Sequence, residues 1–200
     1  KIANLITEKD HWEFNGNQSG YSISKYASEM EVFRGVAEGL NAIVVNPSII
    51  IGKNAGTKGS GTIFQTIKNG LTYYPSGGCG LVDVADVVKS MIHLMESDNV
   101  NQRYIINAEN WSYRDLFTVI AKELDLKPPS KILKPWMLQL TLWGIKLTSA
   151  FPEKQFGLTT DIARSAFKER RYSNDKISRA INIQFKPIKN TITEICNSIA

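Results

Sequence analysis

The sequence has few of the residues that cross-link small proteins or bind metal ions. Among its 200 residues there are only two cysteines, Cys79 and Cys196, and two histidines, His11 and His93. Two distant cysteines exclude a disulfide framework and a cysteine-rich zinc site. Each histidine is isolated from other candidate ligands, so we expect no metal site.

Long apolar runs are also missing. A membrane span needs about 20 largely apolar residues, whereas the apolar stretch Trp136–Leu147 is shorter and contains Gln139 and Lys146. We interpret this stretch as a packed helix rather than a membrane-contacting one.

Residues 1–10 contain charges and no apolar segment of a signal peptide, which favours a cytoplasmic protein. Because the chain begins with Lys1, we expect it to be a piece of a longer protein.

The charge is mildly basic and dispersed. Lys and Arg number 24 against 19 Asp and Glu, giving a net charge of +5, and only Lys168, Arg170 and Arg171 cluster. This distribution gives little support for a nucleic-acid partner, and we expect none. The content of 42% hydrophobic and 22% charged residues is typical of a globular domain.

The first half of the sequence alternates helix and strand patterns. Residues 22–38 predict an amphipathic helix that ends at Gly39, with an inward stripe formed by Ile23, Tyr26, Met30, Phe33 and Ala37. The run 42–46 follows and is typical of a strand in a parallel sheet. Helix followed by such a strand indicates an α/β fold.

Further elements follow from the same patterns. Glycine-rich residues 52–61 predict a loop, and residues 73–80 predict turns. A helix is predicted over 85–97, with Asp83 as its N-cap and Val88, Met91, Ile92 and Met95 facing inward. The remaining predicted elements are a helix at 62–69, a strand at 103–107, and helices at 112–124, 160–170 and 188–198, in addition to the packed helix at 136–147. The order predicts an open parallel sheet with an appended helical region.

The most informative pair of residues is Tyr21 and Lys25. Four residues apart at the start of a helix, they lie on the same face and can act on one ligand. A nearby ammonium favours the phenolate and lowers the pKa of a tyrosine toward the working range of an acid–base catalyst. By itself, however, this spacing occurs by chance in many helices.

Four sequence segments, found in a fixed order along the chain, form a more specific pattern than this pair alone. They are Tyr21–Met30, the strand region from Leu40 to Gly52 containing Asn46-Pro47-Ser48, Leu81–Val88 and Arg103–Asn107. Together they resemble the extended short-chain dehydrogenase/reductases, in particular the NAD(P)-dependent epimerase/dehydratase family and its dihydroflavonol-reductase-like branch.

The resemblance implies roles for five residues. Tyr21 would be the catalytic acid/base, and Lys25 would lower its pKa and bind the nicotinamide ribose. Asn46, Pro47 and Ser48 would lie beside the nicotinamide of NADP or NAD, at the carboxyl end of a strand. The implied reaction is hydride transfer to or from a carbonyl or alcohol carbon of a small-molecule substrate. We also expect a homodimer contact through the helix Tyr21–Glu38.

The same resemblance implies a division of the chain. Residues 1–110 would form the C-terminal part of a Rossmann-type NAD(P)-binding domain, with a substrate-side insertion at about 53–80. Residues 111–200 would form a mostly helical substrate-binding region. The family's glycine-rich dinucleotide motif and catalytic serine have no counterpart in place, so we expect the 200-residue chain alone to be inactive. The loop Gly56–Gly61 is a less favoured phosphate-binding candidate.

Two alternatives to a reductase remain at this point. A sugar-nucleotide epimerase or dehydratase would use the same fold and cofactor, although Asn46-Pro47-Ser48 favours the reductase-like branch. A non-catalytic nucleotide-binding module of the same fold is the second alternative.

Overall fold

The computed structural model describes residues 5–14, 16, 18–137 and 165–199. The predicted helix at 136–147 lies outside the described residues from 138 onward, and so do positions 160–164 of the predicted helix at 160–170.

Helices and short strands alternate along the described chain. The strands are β1 (Leu5–Ile6), β2 (Ile43–Pro47), β3 (Ile49–Ile51), β4 (Tyr73–Pro75), β5 (Gly78–Asp83), β6 (Gln102–Ile106), β7 (Glu109–Ser112), β8 (Lys131–Leu133) and β9 (Arg171–Tyr172). The helices are α1 (Gly20–Ala37), α2 (Gly61–Lys68), α3 (Val84–Met95), α4 (Tyr113–Glu123), α5 (Asp175–Ile181) and α6 (Ile188–Ile199).

Most strand pairs are parallel, which confirms the predicted α/β class. β2 runs parallel to β6, with Ile43 opposite Gln102 and Pro47 opposite Ile106. β3 pairs with β5 in parallel, and β7 pairs with the other edge of β5 in antiparallel orientation. The pairs β1–β9 and β4–β8 are parallel as well.

Two apolar clusters support these strands. One joins β3 and β5 to α2, α4 and α6 and is centred on Leu81, Ile120 and Ile192. The other lies between β6, α3 and α5 and is centred on Ile106, Leu94 and Ile177. Each of these six side chains is at most 1% exposed. The strand ends at Asn46 and Ile106 are therefore held by a packed core.

Helix α1 confirms the predicted element but not its predicted inward face. The half-buried side chains of this helix lie on the face that contains Glu29, whereas Ile23, Met30 and Ala37 are exposed. Of the five residues predicted to face inward, Tyr26 and Phe33 do so. The physical reason is that hydrogen bonds from two strands hold Glu29 against the sheet. The helix is therefore turned about its axis so that much of the predicted apolar stripe faces solvent.

Helix α3 shows a similar correction. Asp83 caps it as predicted, since its carboxylate accepts from Ala85 N at 2.7 Å. The predicted inward set is wrong: Val88, Met91, Ile92 and Met95 are 42–79% exposed. Asp86, Val87, Ser90 and Leu94 are buried in their place. The rotation follows from Asp86, whose carboxylate accepts from the backbone N–H of Lys186.

Two predicted segments adopt different structures. Residues 73–80, predicted as turns, include β4 and the start of β5. Residues 166–170 form turns and a bridge from Glu169 to Gly78 instead of a helix. The glycines that suggested turns serve close strand packing: a Cβ on Gly78 would lie 2.9 Å from Trp111 O.

Candidate functional site

The start of α1 presents Tyr21 and Lys25 together. Ser19 caps the helix because its hydroxyl accepts from Ser22 N at 3.1 Å. Tyr21 follows in the first turn and is 73% exposed. The Lys25 ammonium lies over the phenol ring, 5.7 Å from its centroid, as the four-residue spacing predicts. The phenol is therefore accessible from outside the protein, beside a cation.

Asn46, Pro47 and Ser48 mark the carboxyl end of β2. Pro47 has no backbone N–H, and Ser48 N restores the link to the neighbouring strand by donating to Ile106 O at 2.9 Å. All three residues line a cleft of about 270 Å³. Asn46, Pro47 and Ser48 bring to the cleft the carboxyl end of β2, the end at which open α/β sheets bind ligands, and Arg103 and Ile105 line it from within β6.

Further residues of the cleft were not predicted as site residues. They are Ile6, Thr7, Asp10, Arg103, Ile105 and Tyr172. Arg103 could have been selected from the sequence, because it belongs to one of the segments that resemble the family. Tyr172 could not, because it reaches the cleft only through the pairing of β9 with β1. Hydrogen bonds from the backbone and hydroxyl of Thr7 lower the pKa of Asp10.

Two buried oxygens at the strand end have no hydrogen-bond partner among the described residues. They are Asn46 Oδ1 and Ser48 Oγ. Because buried polar atoms are almost always hydrogen-bonded, these two atoms have hydrogen-bonding capacity that the described residues do not fill. An amide oxygen that accepts and a hydroxyl that donates or accepts match the carboxamide of a nicotinamide, so the strand end fits that group.

The site residues thus form two groups. Tyr21 and Lys25 stand together on α1, and Asn46, Pro47 and Ser48 stand together at the cleft. Tyr21 and Lys25 are not among the described residues that line the cleft. A hydrogen bond of 3.2 Å from Asn46 Nδ2 to Glu29 connects α1 to the end of β2.

Comparison with curated proteins identifies two reductases. The chain is 22% identical over 180 residues to a Synechocystis protein provisionally named dihydroflavonol 4-reductase, covering 87% of this chain and 52% of that protein. It is 34% identical over 98 residues to tetraketide alpha-pyrone reductase 2 of Arabidopsis thaliana, covering 46% of this chain and 30% of that protein. The chain therefore matches about half the length of the first relative and less than a third of the second. No family model matches the sequence.

Solved structures show the same fold at low sequence identity. A nucleoside-diphosphate-sugar epimerase from Pseudomonas aeruginosa is 16% identical with a TM-score of 0.76, over 94% of this chain and 58% of that one. Gre2 from Candida albicans in complex with NADPH is 20% identical with a TM-score of 0.67, over 98% and 57%. The fold is therefore that of the Rossmann-like reductases and epimerases.

These relatives confirm the resemblance to the extended short-chain dehydrogenase/reductases and their NAD(P)-dependent epimerase/dehydratase family. Within the described residues, no helix is both long enough and apolar enough to cross a membrane.

Proposed function

We propose that this chain forms the nicotinamide and substrate side of an NAD(P)-dependent oxidoreductase of the extended short-chain dehydrogenase type. The observation that carries the proposal is the exposed Tyr21 phenol with the Lys25 ammonium 5.7 Å from its ring centroid. The cleft at Asn46–Ser48, tied to the same helix, supports it. The reaction would be hydride transfer to or from a carbonyl or alcohol carbon of a small-molecule substrate.

Tyr21 would move the proton. In the reducing direction its hydroxyl donates a proton to the carbonyl oxygen of the substrate, and in the oxidising direction the phenolate takes that proton back. Lys25 would stabilise the negative charge of the phenolate and bind the ribose of the cofactor through its ammonium. NADPH or NADH, when bound, supplies the hydride.

Asn46, Pro47 and Ser48 would hold the nicotinamide end of NADP or NAD. The oxygens of Asn46 and Ser48, which have no partner among the described residues, would supply an acceptor and a hydroxyl for its carboxamide. Pro47 contributes a rigid backbone between them. The NADPH complex of the structurally similar Gre2 supports a dinucleotide as the cofactor.

A reductase is favoured over a sugar-nucleotide epimerase or dehydratase. Both curated relatives are named as reductases, and Asn46-Pro47-Ser48 points the same way. The epimerase remains the second candidate because the Pseudomonas aeruginosa epimerase shares the fold with a TM-score of 0.76. A module that binds a dinucleotide without turnover is disfavoured because Tyr21 and Lys25 are both present.

We also propose a homodimer contact through α1. This helix has no buried residue, and it exposes Ile23 and Met30 on a face turned about 100–120° around the helix axis from Glu29. Because Ile23 and Met30 are seven residues apart, their side chains share one helix face, which a second copy of the chain would cover.

The test uses the full-length gene product with NADPH or NADH and a panel of aldehydes and ketones. We expect substrate-dependent loss of the reduced-nicotinamide absorbance. Conversion of a nucleotide sugar without net change in that absorbance would favour the epimerase. Saturable dinucleotide binding without turnover of any of these compounds would favour the non-catalytic module.

A further inference from the structure

Glu29 is an acid in the middle of α1 that the proposed reaction does not use. Its side chain is only 13% exposed, although no residue of this helix is fully buried. Its Oε2 accepts from Asn46 Nδ2 at 3.2 Å, and its Oε1 accepts from Arg103 Nη1 at 3.1 Å. Both carboxylate oxygens are therefore engaged by residues of the cleft.

Arg103 extends this network to the N-terminal segment. Its Nη2 donates to the carbonyl oxygens of Glu8 at 2.6 Å and Asp10 at 3.1 Å. The network thus joins β6, α1, β2 and residues 8–10. Asp10, Asn46 and Arg103 line the cleft, whereas Glu29 is not among its described lining residues. Glu29 therefore reaches the cleft only through its two partners.

The hydrogen bond to Glu29 determines the orientation of the Asn46 amide. A carboxylate can only accept hydrogen bonds, so it holds the NH₂ end of the amide and repels the oxygen end. A 180° rotation of the amide would bring Asn46 Oδ1 against Glu29 Oε2. Glu29 therefore leaves Oδ1 as the free end, and this is the buried oxygen without a partner among the described residues.

We propose that Glu29, with Arg103 as its charge partner, is a positioning residue that orients the Asn46 amide toward the cofactor. The inference rests on the proposed function, which assigns Asn46 to the nicotinamide end. Arg103 has a second effect: its guanidinium, 23% exposed, balances a carboxylate that would otherwise be buried without a counter-charge.

The first experiment observes the amide directly, in the full-length gene product without added cofactor. The side-chain NH₂ resonances of Asn46 are assigned by NMR with an Asn46→Ala variant. We expect Glu29→Ala to shift these resonances and to raise their hydrogen-exchange rate about tenfold. Glu31→Ala is the matched control, because Glu31 lies on the same helix, is 68% exposed and forms an ion pair with the exposed Arg34. Unchanged Asn46 resonances in Glu29→Ala would overturn the proposal.

The second experiment measures the consequence for the cofactor. We expect Glu29→Ala to raise the KM for the dinucleotide about tenfold, with kcat and its pH profile nearly unchanged because Tyr21 is intact. A loss of folded protein would instead lower the apparent kcat at constant KM, so the folded fraction is measured in parallel. An unchanged KM in a fully folded Glu29→Ala variant would overturn a positioning role.

Glu29→Gln keeps the experiment decisive if Glu29→Ala does not fold. The amide retains the volume and one acceptor for Asn46 but loses the charge facing Arg103, so we expect a smaller rise in KM. A KM equal to that of the wild type in both variants counts against the proposal. If the wild-type protein binds no dinucleotide, the proposed function fails, and the NMR experiment still decides whether Glu29 orients Asn46.

Discussion

At the scale of single residues, Tyr21 is the proposed proton-transferring phenol. Its side chain is 73% exposed, and a cation lies 5.7 Å from its ring centroid. Tyr21→Phe removes the hydroxyl and keeps the ring under Lys25. We expect kcat of the full-length gene product to fall at least about a hundredfold, because the proposed proton donor is lost. Steady-state kinetics measure this directly.

The matched control for this prediction is Tyr26→Phe. Tyr26 lies on the same helix, and its ring stacks on Trp12 with centroids 4.4 Å apart, a contact that phenylalanine retains. We expect turnover close to that of the wild type. A Tyr21→Phe variant with near-normal kcat would exclude Tyr21 as the acid/base.

Gly80 is a second residue whose identity is dictated by its neighbours. A Cβ at this position would lie 2.8 Å from Tyr172 Cδ2 and 2.9 Å from Ser48 Cβ, and it would also collide with Asn107 Oδ1. We expect Gly80→Ala to destabilise the protein by about 1–3 kcal/mol through overpacking. Thermal unfolding measures the loss. Gly20→Ala is the control, since no non-neighbouring atom of the described residues lies within 4 Å of its Cβ position. Equal melting temperatures for the two variants would contradict the prediction.

At the scale of elements, one buried carboxylate attaches α6 to the start of α3. Asp83 accepts from Thr191 Oγ1 at 2.6 Å and from Ala85 N at 2.7 Å, and Lys186 Nζ lies 3.4 Å away. Burial alone would raise the pKa of Asp83. The two hydrogen bonds and the charge of Lys186 outweigh burial and lower this pKa below its ordinary value of 3.8.

Thr191→Val tests this attachment. A depressed pKa in the folded state means that the ionised form stabilises the fold, fully above the ordinary pKa and progressively less as the pH falls through the folded value. We expect a loss of about 1.5–3 kcal/mol in unfolding free energy at pH 7. The loss should be constant down to about pH 5 and shrink only below about pH 4. Urea unfolding across this range measures it.

Thr193→Val is the control on the same helix, because the exposed Thr193 hydroxyl donates to the carbonyl of Lys189 within α6. It should leave the unfolding free energy nearly unchanged at every pH. A Thr191→Val variant as stable as this control at pH 7 would show that the bond to Asp83 adds nothing.

The elements themselves were predictable where their signals are local. Asp83 and Ser112 cap α3 and α4 as their side chains suggest, and β2 and β6 lie within one residue of the predicted strands. The packed faces of α1 and α3 were not predictable from periodicity. Their rotation depends on Arg103 and on the backbone of Lys186, which lie 74 and 100 residues from their partners.

The candidate site divides in the same way. Asn46, Pro47 and Ser48 were predictable together because they are contiguous, and Tyr21 with Lys25 because one helical turn joins them. Thr7 and Tyr172 meet at the cleft only because β1 pairs with β9, more than 160 residues later. No local pattern encodes that pairing, so sequence reasoning could not bring these residues to the site.

At the scale of the whole molecule, the outer face of α1 predicts self-association. Ile23 and Met30 are 40% and 37% exposed. We expect the full-length gene product to elute as a dimer in size-exclusion chromatography with light scattering, and Ile23→Lys/Met30→Lys to elute as a monomer. Val88→Lys/Ile92→Lys removes comparable apolar surface from α3 and should remain dimeric. A monomeric wild type, or a variant of α1 that stays dimeric, would contradict the proposed contact.

The last prediction concerns dinucleotide binding by the 200-residue chain alone. Tyr21, Lys25 and Asn46 would contact only the nicotinamide end, whereas the charge of NADP or NAD is concentrated on its phosphates. Those groups are usually bound by a glycine-rich turn at a helix N-terminus directly after a strand. In this sequence the nearest candidate, Gly56–Gly61, is separated from the end of β3 at Ile51 by Gly52-Lys53-Asn54-Ala55. Calorimetric titration of the chain with NADP or NAD should therefore show no micromolar binding, while the full-length gene product binds. Tight, saturable binding near one dinucleotide per chain would contradict this prediction, and its loss on replacing Gly59, where φ is +56°, would move the phosphate site to that loop.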